Sequence, residues 1–104
     1  MPLTRNFKET IKARADRDPE FRKALYQDAL ESFLEGDAET GKVMLRDYVN
    51  ATIGFEALEQ RTGTPSKSLM RMLSPSGNPG LNSIMPVFRV INEIEKFTPE
   101  VRVA

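Results

Sequence analysis

Asp18-Pro19-Glu20 constrains the fold of this chain more than any other short stretch. Asp is a strong helix N-cap, and Pro suits the first helical position, where an N–H has no partner to lose. An acid in the first turn complements the helix dipole. Similar punctuation recurs at Gly36-Asp37, Ile53-Gly54, Gly63-Thr64-Pro65 and Pro75 to Gly80. Before the C-terminal tail, no stretch between these breaks alternates as a half-buried strand does. The predicted fold is all-α, a compact bundle of five to six short helices.

The apolar spacing places those helices. Phe7 and Ile11 suggest a short one over Phe7 to Ala15. The next runs from Pro19 to about Glu35, with Phe21, Leu25, Ala29 and Phe33 on one ridge and Tyr26, Leu30 and Leu34 on its neighbour. Gly36 stops it and Asp37 caps a helix over Ala38 to Thr52, in which Gly41 is a local weakness of about 1 kcal/mol relative to Ala. A short helix follows over Phe55 to Thr62. Thr64 is then expected to cap another that reaches Ser74, with Pro65 in its first turn. The last helix is expected to start at Ser83, which puts Pro86 at a position that loses no bond, and to stop at Thr98-Pro99. Val101 and Val103 make the tail a short strand or a loose end. Phe21, Phe33, Phe88, Phe97, Met44, Met72 and Met85 read as core, and Met70 as surface. The chain divides into an N-terminal arm or short helix (1–18), a helical domain (19–97) and a tail (98–104).

Composition removes most catalytic chemistries. There is no Cys and no His, which excludes disulfides, Cys/His zinc sites, thiol chemistry and Ser-His-Asp catalysis. No cofactor or metal is expected, and the chain reads as a binder rather than an enzyme. The acids around Gly36 (Glu31, Glu35, Asp37 and Glu39) lack calcium-loop spacing and read as caps and solvated faces. No apolar run approaches a membrane span, and Met1 to Phe7 lacks the apolar core of a signal peptide. No membrane partner is expected, and the expected location is cytoplasmic. Formal net charge is +0 but unevenly spread: residues 60–92 hold Arg61, Lys67, Arg71 and Arg89 and no acid. That window would tolerate a polyanion.

The informative stretch is 55–74. A helix, a turn containing Gly63 and a second helix follow within it, the layout of a helix-turn-helix. Leu58, Leu69 and Met72 would pack inward, leaving Ser66, Lys67, Met70 and Arg71 outward. Short hydroxyls and long cations suit a DNA major groove, and the Thr64 and Ser66 hydroxyls with the first N–H groups suit phosphate. Spacing alone equally fits a plain helical hairpin whose Lys67 and Arg71 form a solvated face.

The run from Phe55 to Leu73 (FEALEQRTGTPSKSLMRML) resembles the helix-turn-helix of lambda-repressor-like regulators. The continuation Ser74-Pro75-Ser76-Gly77-Asn78-Pro79 resembles the loop of addiction-module antidote proteins, the antitoxins of toxin–antitoxin pairs. Leu45-Arg46-Asp47-Tyr48 is similar to their preceding helix. The resemblance spans about residues 38–97. It implies a sequence-specific repressor of its own operon, a homodimer on double-stranded DNA, with a cognate protein toxin as partner. By position, Ser66, Lys67, Met70 and Arg71 would face bases or nearby phosphates, and Ser76, Gly77 and Asn78 would approach the backbone. Two positions depart from the family pattern: Glu59 replaces a small Ala and would repel phosphate, and Thr64 replaces an apolar residue. A helical interaction module that keeps the fold without specific DNA binding is the alternative, and nothing selects the last helix, the 19–35 helix or the tail as dimer surface.

Overall fold

The structure is a computed structural model and describes residues 5–104, with side chains from Thr10 onward. Six helices follow in order: α1 (Arg5–Arg17), α2 (Pro19–Leu34), α3 (Ala38–Ala51), α4 (Phe55–Thr62), α5 (Ser66–Met72) and α6 (Leu81–Glu95). There is no strand among the described residues, and Val101 and Val103 lie in an irregular, exposed tail. The radius of gyration, 13.2 Å, is that of a packed chain of this size. No helix is long and apolar enough to cross a membrane among the described residues. The expected Phe7–Ile11 pairing lies outside the described side chains.

Asp18 caps α2 by accepting from the Phe21 N–H, and Asp37 caps α3 by accepting from the Thr40 N–H. Between them, α2 ends in a Schellman turn. Gly36 sits at φ +87°, its N–H donates to the Phe33 carbonyl, and the Asp37 N–H donates to Ser32. The turn folds α3 back against α2. At their contact a Cβ on Gly41 would lie 2.7 Å from the Phe33 ring. This glycine weakens the helix locally and admits the ring in exchange.

The core forms where α2 and α3 meet α4, α5 and α6. Leu45, Tyr48, Val49, Leu58, Leu69, Leu73, Val87 and Ile91 are fully enclosed, each worth about 1.5–3 kcal/mol of burial for an aliphatic side chain. Tyr26 and Tyr48 lie with ring centroids 5.2 Å apart. The Tyr26 hydroxyl donates to Asn92 Oδ1 (2.8 Å) and the Tyr48 hydroxyl to Glu95 Oε2 (2.9 Å), both on α6. Arg22 Nε also donates to Glu95 Oε2 (3.1 Å), and its Nη1 donates to the Ala15 carbonyl, tying in α1.

Several boundaries differ from expectation. α6 begins at Leu81, not Ser83, with Gly80 as its N-cap. Pro86 therefore lies inside the helix, where it deprives the Asn82 carbonyl of a partner. Asn82 is exposed, so water can take that bond. α6 also stops early: Lys96 turns left-handed (φ 58°), and Phe97 folds back to stack on Tyr26, centroids 5.6 Å apart. Thr64 does not cap α5; Pro65 holds that place without a side-chain bond. Met85, read as core, is 47% exposed, as is Met70. Met44 and Met72 pack against the core as expected.

Both phenols are held protonated. Burial pushes Tyr26 from the ordinary 10.0 up to about 12. Burial, then the hydrogen bond and charge of Glu95, raises Tyr48 further. Between pH 10.0 and about 12 the folded chain thus binds more protons than the unfolded chain, and stability falls as pH rises through that window. Urea midpoints measured across it should drop steadily, and Tyr26→Phe should flatten the drop while lowering the neutral-pH midpoint. A midpoint independent of pH there would contradict the assignment.

Candidate nucleic-acid interface

α4 and α5 are joined by Gly63-Thr64-Pro65. Gly63 adopts φ +79° and its N–H closes α4 on the Glu59 carbonyl. The Thr62 hydroxyl donates to the Leu58 carbonyl (2.8 Å) and accepts from the Thr64 N–H (3.2 Å). The turn is thereby held from within, and Thr64 is half-buried in it. Pro65, as N-cap, has no side chain able to accept from the first N–H of α5. Glu59 supplies the missing acceptor from across the turn: its Oε1 takes the Ser66 N–H. The Ser66 hydroxyl turns inward and donates to the Phe55 carbonyl (3.2 Å). Both polar groups that Ser66 could offer a phosphate are thus engaged within the chain.

Leu69 is enclosed, and so is Leu73 at the C-cap of α5. At about 100° per residue, Lys67 and Arg71 fall opposite Leu69, with Met70 beside them. All three are exposed. No salt bridge engages Lys67 or Arg71 among the described residues, whereas Arg61 lies 3.9 Å from Glu93. Arg89 is exposed on α6.

The chain after α5 is a tight loop. The Ser74 hydroxyl donates to the Arg71 carbonyl (2.7 Å), and the Gly77 N–H donates to the Ser74 carbonyl (2.9 Å). A Cβ on Gly77 would collide with the carbonyl oxygens of Arg71 and Met72, so the loop closes on α5 only because residue 77 has no side chain. Ser76 and Asn78, on either side, are exposed.

Lys42 of α3 secures this loop, and its role escaped the sequence reading. It is 5% exposed, and its ammonium donates to the carbonyls of Gly77 (2.7 Å) and Pro75 (3.3 Å) while Glu39 lies at 3.4 Å. A buried ammonium is tolerated when its donors are so matched. The signal was positional: Lys42 stands three residues before Leu45 and seven before Val49, on the core stripe of α3.

The structure therefore brings Lys67, Met70 and Arg71 together on one outward face. It places Ser76, Gly77 and Asn78 in a loop closed against the C-terminal end of α5, and turns Thr64 and Ser66 into the α4–α5 junction. No group of three or more acids that could hold a metal ion occurs among the described residues. Comparisons with protein-family models, curated proteins and solved structures find no match.

Lys42→Met, which keeps the apolar stem, leaves the Pro75 and Gly77 carbonyls without their donor and should cost about 1–3 kcal/mol in urea unfolding. Gly77→Ala should displace the loop and cost a similar amount, about 1–3 kcal/mol. In both variants the amide NMR shifts of 74–78 should move more than those of α2. Unchanged loop shifts in Lys42→Met would show that the ammonium does not hold the loop.

Proposed function

We propose that the chain is a sequence-specific DNA-binding regulator in which α4 and α5 form a helix-turn-helix and α5 enters the major groove. One observation carries the reading: Lys67 and Arg71 stand exposed on the side of α5 opposite the enclosed Leu69, within a 33-residue stretch, 60–92, that has no acid. Arg71 is the base-reading side chain, Lys67 a phosphate contact, and Met70 an apolar contact for a thymine methyl group. Ser76 and Asn78 meet the DNA backbone from the loop that Lys42 secures. Thr64 and Ser66 act indirectly, by setting the angle between α4 and α5.

The resemblance of residues 55–79 to addiction-module antidotes supports a narrower role. The chain would be a cytoplasmic antitoxin that represses its own operon as a homodimer and binds a protein toxin. A second reading, a helical interaction module without specific DNA binding, is favoured by Glu59. Its carboxylate occupies the N-terminal end of α5, where an approaching phosphate would meet like charge.

Fluorescence anisotropy with a duplex from the chain's own upstream region, against a scrambled duplex, separates the two. A DNA reader binds the first duplex preferentially, with log affinity falling by about 0.9 per neutralised phosphate per log unit of salt. Lys67→Ala should weaken binding to every duplex and reduce the salt slope by about 1, while Arg71→Ala should cost about 1–3 kcal/mol and relax base preference. Weak and equal binding to both duplexes would favour the interaction module.

A further inference from the structure

A cavity of about 250 Å³ opens between α1, α2, α3 and α6, with no residue of α4 or α5 in its lining. One wall is apolar, formed by Ile53, Ile91 and Ile94. The other is polar, formed by Arg22, Tyr48 and Glu95. The Tyr48 hydroxyl and Arg22 Nε converge on a single oxygen of Glu95, Oε2. This arrangement fixes the carboxylate in place and leaves Oε1 without a hydrogen-bond partner among the described residues. Arg22 is occupied on two sides, by Glu95 and by the Ala15 carbonyl. Asp16 adds a second acid to the lining, paired at 3.8 Å with Lys12, which lies outside it, so Arg22 is the one cation among the lining residues.

We propose that this cavity binds a small aliphatic ammonium compound. Its N–H groups donate to Glu95 Oε1, and its hydrocarbon chain lies along Ile53, Ile91 and Ile94. Size agrees: a cavity of about 150 Å³ admits benzene, so this one holds roughly ten non-hydrogen atoms or fewer. A carboxylate of the same length would meet the unpaired Glu95 oxygen and Asp16. An alcohol would lose the charge-assisted bond, which is about twice as strong as a neutral one. The proposal rests on the cavity alone and is independent of any reading of α5.

The test is an amide NMR titration of the full chain with n-pentylammonium, pentanoate and 1-pentanol. Pentylammonium should give saturable shifts at Ile53, Ile91 and Glu95 and bind about tenfold more tightly than either isostere. Pentanoate or pentanol binding as tightly would overturn the proposal, as would the absence of saturation by pentylammonium below about 20 mM. Glu95→Gln keeps the shape but not the charge and should lower pentylammonium affinity by about tenfold while leaving pentanol unchanged. Ile94→Trp fills the cavity while keeping both members of the Arg22–Glu95 pair, so it decides the matter if Glu95→Gln fails to fold. It should abolish the shifts, and undiminished binding would place the ligand elsewhere and overturn the site.

Discussion

The fold depends on two tyrosines whose hydroxyls cannot be satisfied where their rings pack. Tyr26 and Tyr48 bring the α2–α3 pair together at 5.2 Å, but a buried phenol without a partner costs more than its ring contact returns. Both hydroxyls find acceptors on α6, at Asn92 and Glu95, which lie on one helical face, three residues apart. That spacing sets the register of α6. A slide of one turn would bring Phe88 and Ile91 where the acceptors stand. Arg22 then joins α1 to the same carboxylate, and the left-handed Lys96 returns Phe97 to cover Tyr26. Four helices and the chain reversal after α6 thus meet at one polar node inside an apolar core.

α3 reaches in two directions from this node. Tyr48 faces α6, and Lys42, six residues earlier, holds the loop that follows α5. The loop is therefore part of the packed structure, fixed by an ammonium from one side and by the absence of a Cβ at Gly77 on the other. α5 is short, and an isolated helix of its length would not persist in water. Its order comes from Leu69 and Leu73 beneath it, Glu59 at its start and the clamped loop at its end.

Much of this was legible in the sequence, because the caps and stops are local. Asp18, Gly36, Asp37 and Gly63 work through bonds to residues within a turn or so, and their positions bounded α2, α3 and α4 well. Where distant residues intervened, local rules failed. Thr64 has the chemistry of a cap, yet Pro65 takes the place because Glu59, seven residues before Ser66, accepts the orphan N–H. Pro86 suits a first turn, yet α6 extends past it to Leu81. The outward direction of Lys67 and Arg71 followed from helical period once Leu69 was taken as core. That Ser66 turns inward did not, since the Phe55 carbonyl that draws it lies at the start of the preceding helix. Lys42 was missed for the same reason: the two carbonyls it holds are more than thirty residues away.

Two acids blunt the positive charge that the α4–α5 face could offer DNA. Glu59 offsets the positive end of α5, and Glu93 stands near Arg61. Of the acid-free window, Lys67, Arg71 and Arg89 are the exposed cations outside an ion pair among the described residues. Specific DNA-binding proteins that make about six to ten phosphate contacts draw much of their affinity from counterion release. With Arg71 reading bases, Lys67 and Arg89 are left for phosphate in each copy, well short of that number, and a second copy doubles them. A single chain that reads DNA through this face would therefore bind weakly. Pairing on a two-fold operator, with half-sites about one helical turn apart, would double the charge brought to the backbone. On the proposed DNA reading, then, the scarcity of free cations on this face calls for two copies on one operator.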